Sequence, residues 1–346
     1  MYLQDYSKMK INFTCFRLKF SSALHLSVGK NDYDVGQTTL HSDALKAAIF
    51  ACAMQLGASE QEAYAMNEGY RTSSAFPFFG AELFFPKPSS RLPQIVDVDE
   101  FSQGKALKKI RYIGQSFFED ILSGNPQKQL LQSIHLHDGD QYLSDHADLQ
   151  GMREKIVYSA VNQRVTIYPD YHQPPTPFYT ERLFFHDRAG LFFLVQWQTE
   201  ESRDLFVKAL RLLGDNGIGT DRNVGNGFFS IQSEEEISFN APASAAFQMN
   251  LSLYCPEVEE CTNEVLQESS YQLIKRGGYM AAPETASNVS LRKRSVYMFD
   301  VGSCFPAHVQ LSGKQVNLRP EISLVTHEVW RDGRAIFLPI NPIPAS

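Results

Sequence analysis

A glycine-rich segment that joins a predicted helix to a predicted strand constrains the fold of this chain more than any other feature. The segment, GDNGIGTDRNVGNGFF, covers residues 214–229 and contains five glycines. Before it, TEESRDLFVKALRLLG has helical spacing, with Thr199 as the predicted N-cap and Gly214 as the last residue. FFSIQ, which follows, is typical of a strand. The two common nucleotide loops run from a strand into a helix, so this direction excludes them.

The residue types in the segment also exclude the two common nucleotide-binding loops. A Walker A loop needs a lysine before its final Ser or Thr, and no lysine precedes Thr220. In the dinucleotide fingerprint, Arg222 stands where the third glycine is required. The segment can still bring backbone N–H groups close to a sugar–phosphate backbone, with Arg222 supplying charge. A long turn without a ligand explains the same glycines, and the loop alone leaves both interpretations open.

The N-terminal part predicts a strand followed by a helix. KINFTCFRLKF alternates apolar and polar residues, with a predicted bulge near Cys15–Phe16 that brings both apolar sets to one face. Ser42 then caps a helix that stops at Gly57.

A second strand pair completes a recognisable order. ERLFFHDRAGLFFLVQW predicts a hairpin that turns at residues 187–190. With the second helix and the last strand, the order is β-α-β-β-α-β, which is that of a ferredoxin-like (RRM-like) α+β domain. This domain is predicted at residues 9–235, with a long insertion at residues 58–180 between its first helix and second strand.

The C-terminal part predicts a second, more degenerate ferredoxin-like domain at residues 245–346. Strand-like runs FQMNLSLY, SVYMFDVGS and EVWRDGRAIFLPI flank a helical pattern near residues 258–274. In the first domain, YPDYHQPPTPFYT is too rich in proline for a central strand, so a projecting hairpin tip is predicted there.

Composition limits the function. The net charge of −7 and the pI of about 5.7 argue against a non-specific nucleic-acid binder, although a local basic groove is compatible with them. The five cysteines form no C-x-x-C pair, so no zinc site is expected. No apolar run is long enough to span a membrane. A soluble cytoplasmic protein without cofactor or metal is expected.

Several segments, in order along almost the whole chain, resemble the RAMP proteins of CRISPR systems. They are SALHLSVG, LHSDALKAAIF, AFPFFGAELFFPKP, VNQRVTIYP and RKRSVYMFDVGS, together with the glycine-rich loop. The set is similar to the fourth subunit of the type III-A Csm effector complex, which caps the 5′ handle of the crRNA. The resemblance implies a non-catalytic subunit that contacts crRNA, the large polymerase/cyclase subunit, an adjacent backbone RAMP subunit and target RNA near the handle.

The resemblance also implies RNA contacts at named positions. In the loop they are Gly217, Gly219, Thr220, Arg222, Gly225 and Gly227, and at the first helix they are His41 and Ser42. A thumb-like hairpin would contribute Gln163 and Arg164 at its base and Tyr171 and His172 at its tip. The basic clusters of the second domain would contribute Lys275, Arg276, Arg292, Lys293 and Arg294, although a solvated basic face explains those clusters equally well.

Three alternatives remain open. A metal-independent RAMP endoribonuclease that processes repeat RNA would use His25 or His41 as general acid or base. Metal-dependent target cleavage would use Asp43, although a carboxylate in a first helical turn also favours the helix dipole. A pure protein scaffold would use the acidic surface and leave Arg222 without an RNA contact.

Overall fold

The chain folds into a mixed α+β structure, as predicted. The computed structural model describes residues 8–26, 39–89, 108–123, 135–167, 174–278, 292–321, 325 and 327–341. The helices are α1 Ser42–Gln55, α2 Glu60–Glu68, α3 Gln115–Ser123, α4 Glu201–Asn216 and α5 Asn263–Glu268. The strands are β1 Lys8–Phe20, β2 Tyr70–Thr72, β3 Phe76–Phe79, β4 Glu82–Pro86, β5 Tyr112–Gly114, β6 Leu136–His137, β7 Tyr142–Leu143, β8 Val157–Thr166, β9 Thr176–Phe185, β10 Ala189–Trp197, β11 Phe229–Pro242, β12 Phe247–Asn250, β13 Leu273–Arg276, β14 Val296–Phe299, β15 Cys304–Pro306, β16 Gln315–Asn317, β17 Trp330–Asp332 and β18 Phe337–Ile340.

A nine-stranded sheet forms the centre of the molecule, with strand order β11-β1-β10-β3-β4-β5-β7-β6 and β2 paired with β10. Two hydrophobic clusters cover its faces. On one face α1, α2 and α4 pack through side chains such as Leu45, Met66 and Phe206. On the other face α3 and the C-terminal strands pack through Phe118 and Leu338. The C-terminal part therefore covers one side of the N-terminal sheet.

Strand β1 is buried on both faces, which corrects the bulge predicted near Cys15–Phe16. Phe13 and Cys15 belong to one cluster, whereas Phe16 and Leu18 belong to the other. Because side chains alternate along a strand, a strand covered on both faces needs apolar residues of both parities. The irregularity in pairing lies between Arg17 and Leu18, opposite β11.

Strand β10 pairs with β1, β2 and β3 and not with residues 181–185, so the predicted hairpin at residues 181–197 is wrong. Residues 189–192 pair antiparallel with residues 76–79. Residues 181–185 belong to β9, which pairs with β8 in a separate two-stranded sheet. The prediction paired these two phenylalanine-rich runs because they are adjacent in sequence. The strand β3, with which β10 pairs instead, lies far earlier in the chain. The long insertion therefore lies between β3 and β10. It does not lie between the first helix and the second strand of the sheet, where it was predicted.

Helix ends differ from the predicted caps. His41, not Ser42, is the N-cap residue of α1, and it makes no side-chain cap hydrogen bond. The Ser42 hydroxyl instead accepts a hydrogen bond from Leu253 N–H at 3.0 Å, across to the C-terminal part. Helix α4 begins after Glu200, and Thr199 bonds to the Ser202 hydroxyl at 2.8 Å.

The C-terminal part is divided among several small sheets. Strand β12 lies between β15 and β18, and β13–β14 and β16–β17 form two further pairs. The predicted helical stretch at residues 258–274 contains the six-residue α5 and then turns into β13. One helix is found among the described residues from 245 to 341, so the second ferredoxin-like domain and both domain ranges stay predictions.

Over the described ranges, none of the helices has the length and hydropathy needed to cross a membrane.

Candidate nucleic-acid interface

The glycine-rich loop closes on itself between α4 and β11. Ile218 N–H donates to Gly227 O at 3.0 Å, so the two ends of the loop lie side by side. Between them Asp221 adopts a φ of 62°, and a 3-10 turn covers Arg222–Val224. The Asn216 side chain donates to Gln55 Oε1 at 2.8 Å and joins the loop to the C-terminal end of α1. The loop is therefore a closed turn that is attached to the end of α1.

Most of the loop glycines are explained by the chain's own backbone. A Cβ on Gly219 would lie 2.5 Å from His25 O, and a Cβ on Gly227 would collide with Ile218 O. Gly225, with a φ of 87°, has nothing within 4 Å of its Cβ position. Internal packing therefore gives a reason for Gly217, Gly219 and Gly227 that differs from the predicted RNA approach, and the open side of the loop lies at Gly225.

The segment 21–26 joins the loop to the hairpin β8–β9. Gly227 N–H donates to Ala23 O at 2.7 Å, and Thr220 N–H donates to His25 O at 2.9 Å. On the other side, Leu24 and Leu183 exchange backbone hydrogen bonds of 2.8 and 2.7 Å. We call residues 21–26, 157–167, 174–185 and 214–228 together the loop–hairpin cluster.

An ion pair fixes the hairpin against the loop. Arg164 Nη1 lies 3.0 Å from Asp221 Oδ2, and both side chains are partly exposed. Gln163 is exposed and pairs with Tyr179. Because β8 runs from residue 157 to residue 166, Gln163 and Arg164 lie towards the tip of the hairpin, not at its base as predicted. Tyr171 and His172 lie outside the described residues.

Arg182 is a candidate that the sequence reasoning missed. Arg182 pairs with Ala160, and Arg164 pairs with Phe178 four pairs further along the same ladder. Directly paired residues of an antiparallel ladder share a face, so Arg164 and Arg182 lie on the same face of the hairpin. Arg182 Nε has no hydrogen-bond partner among the described residues. In the sequence, the two-residue spacing of residues 178, 180 and 182 places them on one face of a strand. Only the pairing register of β8 with β9 shows that Arg164 lies on the same face.

Arg222 is the most accessible cation of the loop. Its side chain is exposed, and it forms no ion pair within the described part of the chain. Together with Arg164 and Arg182 it gives the loop–hairpin cluster three guanidinium groups, of which one is paired with Asp221. Guanidinium groups bind phosphate through charge-assisted hydrogen bonds, so this surface can accept a phosphate backbone.

The two histidines considered for catalysis are both buried. His25 is 0% exposed, and its Nδ1 lies within hydrogen-bond distance of Glu181 O. His41 is 5% exposed and lies 3.9 Å from the Asp300 carboxylate. A general acid or base must reach the substrate within hydrogen-bond distance, and neither side chain faces solvent in this conformation.

The start of α1 lies in a buried ion network at the boundary with the C-terminal part. Asp43 is fully buried and accepts from Arg276 at 2.8 and 3.0 Å, and Arg331 lies 3.3 Å away. One turn later Lys46 lies 2.6 Å from Asp332. We call Asp43, Lys46, Arg276, Arg331, Asp332 and Arg334 the ion seam. His41 and Ser42 are buried beside this seam, where the C-terminal part covers the helix end, and their RNA contact stays a prediction.

The ion seam shifts the pKa values of its members. Burial alone would raise the pKa of Asp43, but the charges of Arg276 and Arg331 outweigh it and lower the pKa to about 2. Burial, and next the charge of Arg276, lower the pKa of His41 to about 4. Burial lowers the pKa of Lys46 to about 8 although Asp332 opposes the change. The seam holds Asp43 charged and His41 neutral near pH 7.

The predicted basic clusters of the C-terminal part divide between the interior and the surface. Arg276 is occupied by Asp43, and Lys293 is partly buried, with its pKa lowered to about 8 by burial and then by the charge of Arg331. Lys275, Arg292 and Arg294 are exposed. Lys275 lies over the Tyr297 ring at 5.9 Å, and Arg294 donates to Asn317 O at 2.8 Å. The exposed three stay candidates for RNA contact, whereas Arg276 serves the ion seam.

Within the described ranges, no group of three His, Cys, Asp or Glu side chains is placed to hold a metal ion.

Comparison with known proteins identifies relatives along the whole chain. Residues 243–340 match the family model of the CRISPR Csm4 C-terminal domain. The chain is 24% identical over 331 residues to the CRISPR system Cms protein Csm4 of Mycobacterium tuberculosis strain H37Rv, covering 95% of this chain and 98% of that protein. It is 25% identical over 218 residues to the protein of the same name from Thermococcus onnurineus strain NA1, covering 61% of this chain and 64% of the relative.

Solved structures share the fold. A chain of the Csm3-Csm4 subcomplex of the type III-A CRISPR-Cas interference complex superposes with a TM-score of 0.63 at 16% identity, covering 96% of this chain and 100% of that chain. A chain of the Csm1-Csm4 cassette in complex with cA4 gives 0.61 at 18% identity, covering 97% and 100%.

Proposed function

We propose that the chain is a Csm4-like member of the RAMP superfamily and a non-catalytic subunit of a type III-A CRISPR Csm complex. It binds and caps the 5′ repeat-derived handle of the crRNA. It also bridges the large polymerase/cyclase subunit to the backbone RAMP filament, next to target RNA at the handle end.

The observation that carries this proposal is the loop–hairpin cluster. Segment 21–26 is hydrogen-bonded to the glycine-rich loop on one side and to β9 on the other. Arg164 and Arg182 share one face of the hairpin, and Arg222 follows Asp221, the ion-pair partner of Arg164. Guanidinium groups of this kind suit a single-stranded RNA backbone, which binds largely through its phosphates.

The strand order supports the proposed ferredoxin-like character of the N-terminal part. Strands β11, β1, β10 and β3 lie side by side in that order, with α1 and α4 on one face. They correspond to the fourth, first, third and second strands of a β-α-β-β-α-β unit. In this arrangement the glycine-rich loop precedes the edge strand β11 and lies beside the end of β1.

The bridging role rests on the relatives. Their structures contain Csm4 together with Csm1 and together with Csm3. Because this chain has the same fold over nearly its full length, we propose equivalent neighbours for it, with the large subunit on one side and a backbone subunit on the other.

The endoribonuclease alternative is less well supported because His25 and His41 are both buried. Its test is incubation of the purified protein with repeat RNA in EDTA. Specific cleavage that His25→Ala or His41→Ala abolishes would establish an enzyme. The absence of cleavage under conditions in which the protein still binds RNA would support the non-catalytic role.

Charge reversal on the loop tests the proposed function. In the complex co-expressed with its crRNA, Arg222→Glu should weaken crRNA retention about tenfold, which corresponds to about 1.4 kcal/mol. Arg211→Glu is the matched control, because Arg211 is an exposed arginine on the neighbouring helix α4. The measurement is crRNA content per complex after washes at increasing salt. Equal retention in both variants would favour the pure scaffold.

A further inference from the structure

A small cleft with aromatic walls lies between α1, α2 and the strand pair β16–β17, away from the loop–hairpin cluster. Its volume is about 150 Å³, and its walls include Phe50, Tyr64 and Trp330. The Phe50 and Tyr64 rings lie 5.1 Å apart, tilted by 55°. A cavity of about 150 Å³ accepts one benzene-sized group, so the cleft is large enough for one planar side-chain end.

The floor of the cleft is closed by the ion seam. Asp43 is engaged by Arg276 and Arg331, and Asp332 is engaged by Lys46 at 2.6 Å and by Arg334 at 2.6 Å. Each of the two carboxylates on the floor is therefore shared by two cations of the protein. A group that enters the cleft can contact these ion pairs only from the open side of the cleft.

The mouth of the cleft is aromatic and acidic. Tyr64 is 39% exposed, Trp330 is 37% exposed, and both line the cleft. Glu328 lines the same mouth, is exposed, and forms no hydrogen bond or ion pair with the described residues. The cleft thus offers ring faces and one available carboxylate.

We propose that this cleft receives the guanidinium group of an arginine from a neighbouring protein subunit. A guanidinium is planar, stacks on aromatic faces and bonds to carboxylates in a fork geometry, so Tyr64, Trp330 and Glu328 match its three properties. Exposed Trp and Tyr in a pocket are also the residues that carry most binding energy at protein interfaces.

The acidic surface around the mouth favours a protein over RNA. Helix α2 presents Glu60 and Glu62 on its exposed side, in the same helix as Tyr64, whereas Glu68 of this helix is paired with Arg334. These carboxylates repel phosphates, and they attract a cationic segment of a protein. The inference rests on the proposed function only in that it requires a protein neighbour within the complex.

Site-specific photocrosslinking tests the inference. Tyr64 is replaced by p-benzoylphenylalanine in the complex assembled with its crRNA, and the crosslinked peptides are identified by mass spectrometry. We expect a peptide of another protein subunit that contains an arginine at the crosslinked site. The matched control is the same replacement at Tyr271, which is also 39% exposed and lies in the C-terminal part.

Charge variants complete the test. Glu328→Lys should lower the crosslink yield at least fivefold, whereas Glu264→Lys, on the exposed side of α5, should leave it unchanged. Crosslinks to RNA, crosslinks to a peptide without arginine, or no crosslink would each overturn the inference. The crRNA content of the same samples reports separately on the proposed function. Failure of the inference can therefore be distinguished from failure of the proposed function.

Discussion

Arg164 in the hairpin and Asp221 in the glycine-rich loop form an ion pair of 3.0 Å between two segments that are far apart in sequence. Asp221 holds this position in a left-handed backbone conformation with a φ of 62°. The pair therefore connects a strand of the hairpin to the loop at its turn. Its side chains are 29% and 25% exposed, so it orients the two segments more than it stabilises the fold.

A double-mutant cycle measures this connection. Arg164→Ala and Asp221→Ala should show a coupling free energy of about 0.2–1 kcal/mol in urea unfolding, as is usual for partly exposed pairs. Hydrogen exchange of the loop amides should also accelerate in either single variant, because the loop loses one of its attachments. Additive effects in both measurements would show that the two side chains do not act together.

Alanine substitutions distinguish the roles of the loop glycines. Gly227→Ala should lower the free energy of unfolding by more than about 2 kcal/mol, because the new Cβ would collide with Ile218 O in addition to the left-handed strain. Gly225→Ala should cost about 1–2 kcal/mol, from the backbone strain alone. The measurement is chemical denaturation of both variants. A larger loss for Gly225→Ala would contradict the packing described above.

Neutralising the buried carboxylate of the ion seam should strongly destabilise the protein. Asp43→Asn leaves Arg276 and Arg331 without a buried counter-charge, which costs about 3–5 kcal/mol. The control is Asp204→Asn, because Asp204 pairs with Lys208 on the surface and its loss should cost at most about 0.5 kcal/mol. Similar losses of unfolding free energy in the two variants would show that the ion seam does not stabilise the fold.

Stability should decline as the pH falls from 6.5 to 4. The folded-state pKa of His41 is lowered from 6.5 to about 4, so over this interval the unfolded chain binds a proton that the folded chain does not. The loss is at most about 3 kcal/mol. His41→Gln should flatten this part of the profile, whereas His308→Gln, an exposed control, should not. Identical profiles for both variants would exclude His41 as the cause.

Below pH 4 a second loss should follow from Asp43. Its pKa is lowered from 3.8 to about 2, so its stabilisation is present above pH 3.8 and disappears as the pH falls towards 2. In Asp43→Asn this second decline should be smaller but still present, because the pKa of Asp332, which burial alone would raise, is also lowered by Lys46 and Arg334. An unchanged decline in that variant would assign it to other carboxyl groups.

Local patterns in the sequence located α1, α4 and the glycine-rich loop, because helical spacing and glycine content are properties of neighbouring residues, whereas α2 and α3 were not predicted. The pairing of β10 with β3 could not be predicted in this way, since it joins residues separated by the whole insertion. Likewise, the alternation in β1 was interpreted as a bulge because nothing in the strand itself shows that both faces are covered.

The candidate site was predictable to a similar extent. Arg222 was identified from the loop and is exposed, and Arg164 was identified near the hairpin. Arg276 and His41 have the residue types of an RNA site, but the C-terminal part folds over α1 and brings Arg276 to Asp43. Burial of that kind depends on contacts between distant parts of the chain, which residue type alone does not reveal.

UV crosslinking with mass spectrometry on the complex carrying its crRNA tests whether the loop–hairpin cluster contacts the crRNA handle. We expect crosslinks between handle nucleotides and peptides that contain Arg222 or residues 174–185. Crosslinks from other subunits only, with none from these peptides, would contradict this expectation and would leave this chain as a protein scaffold.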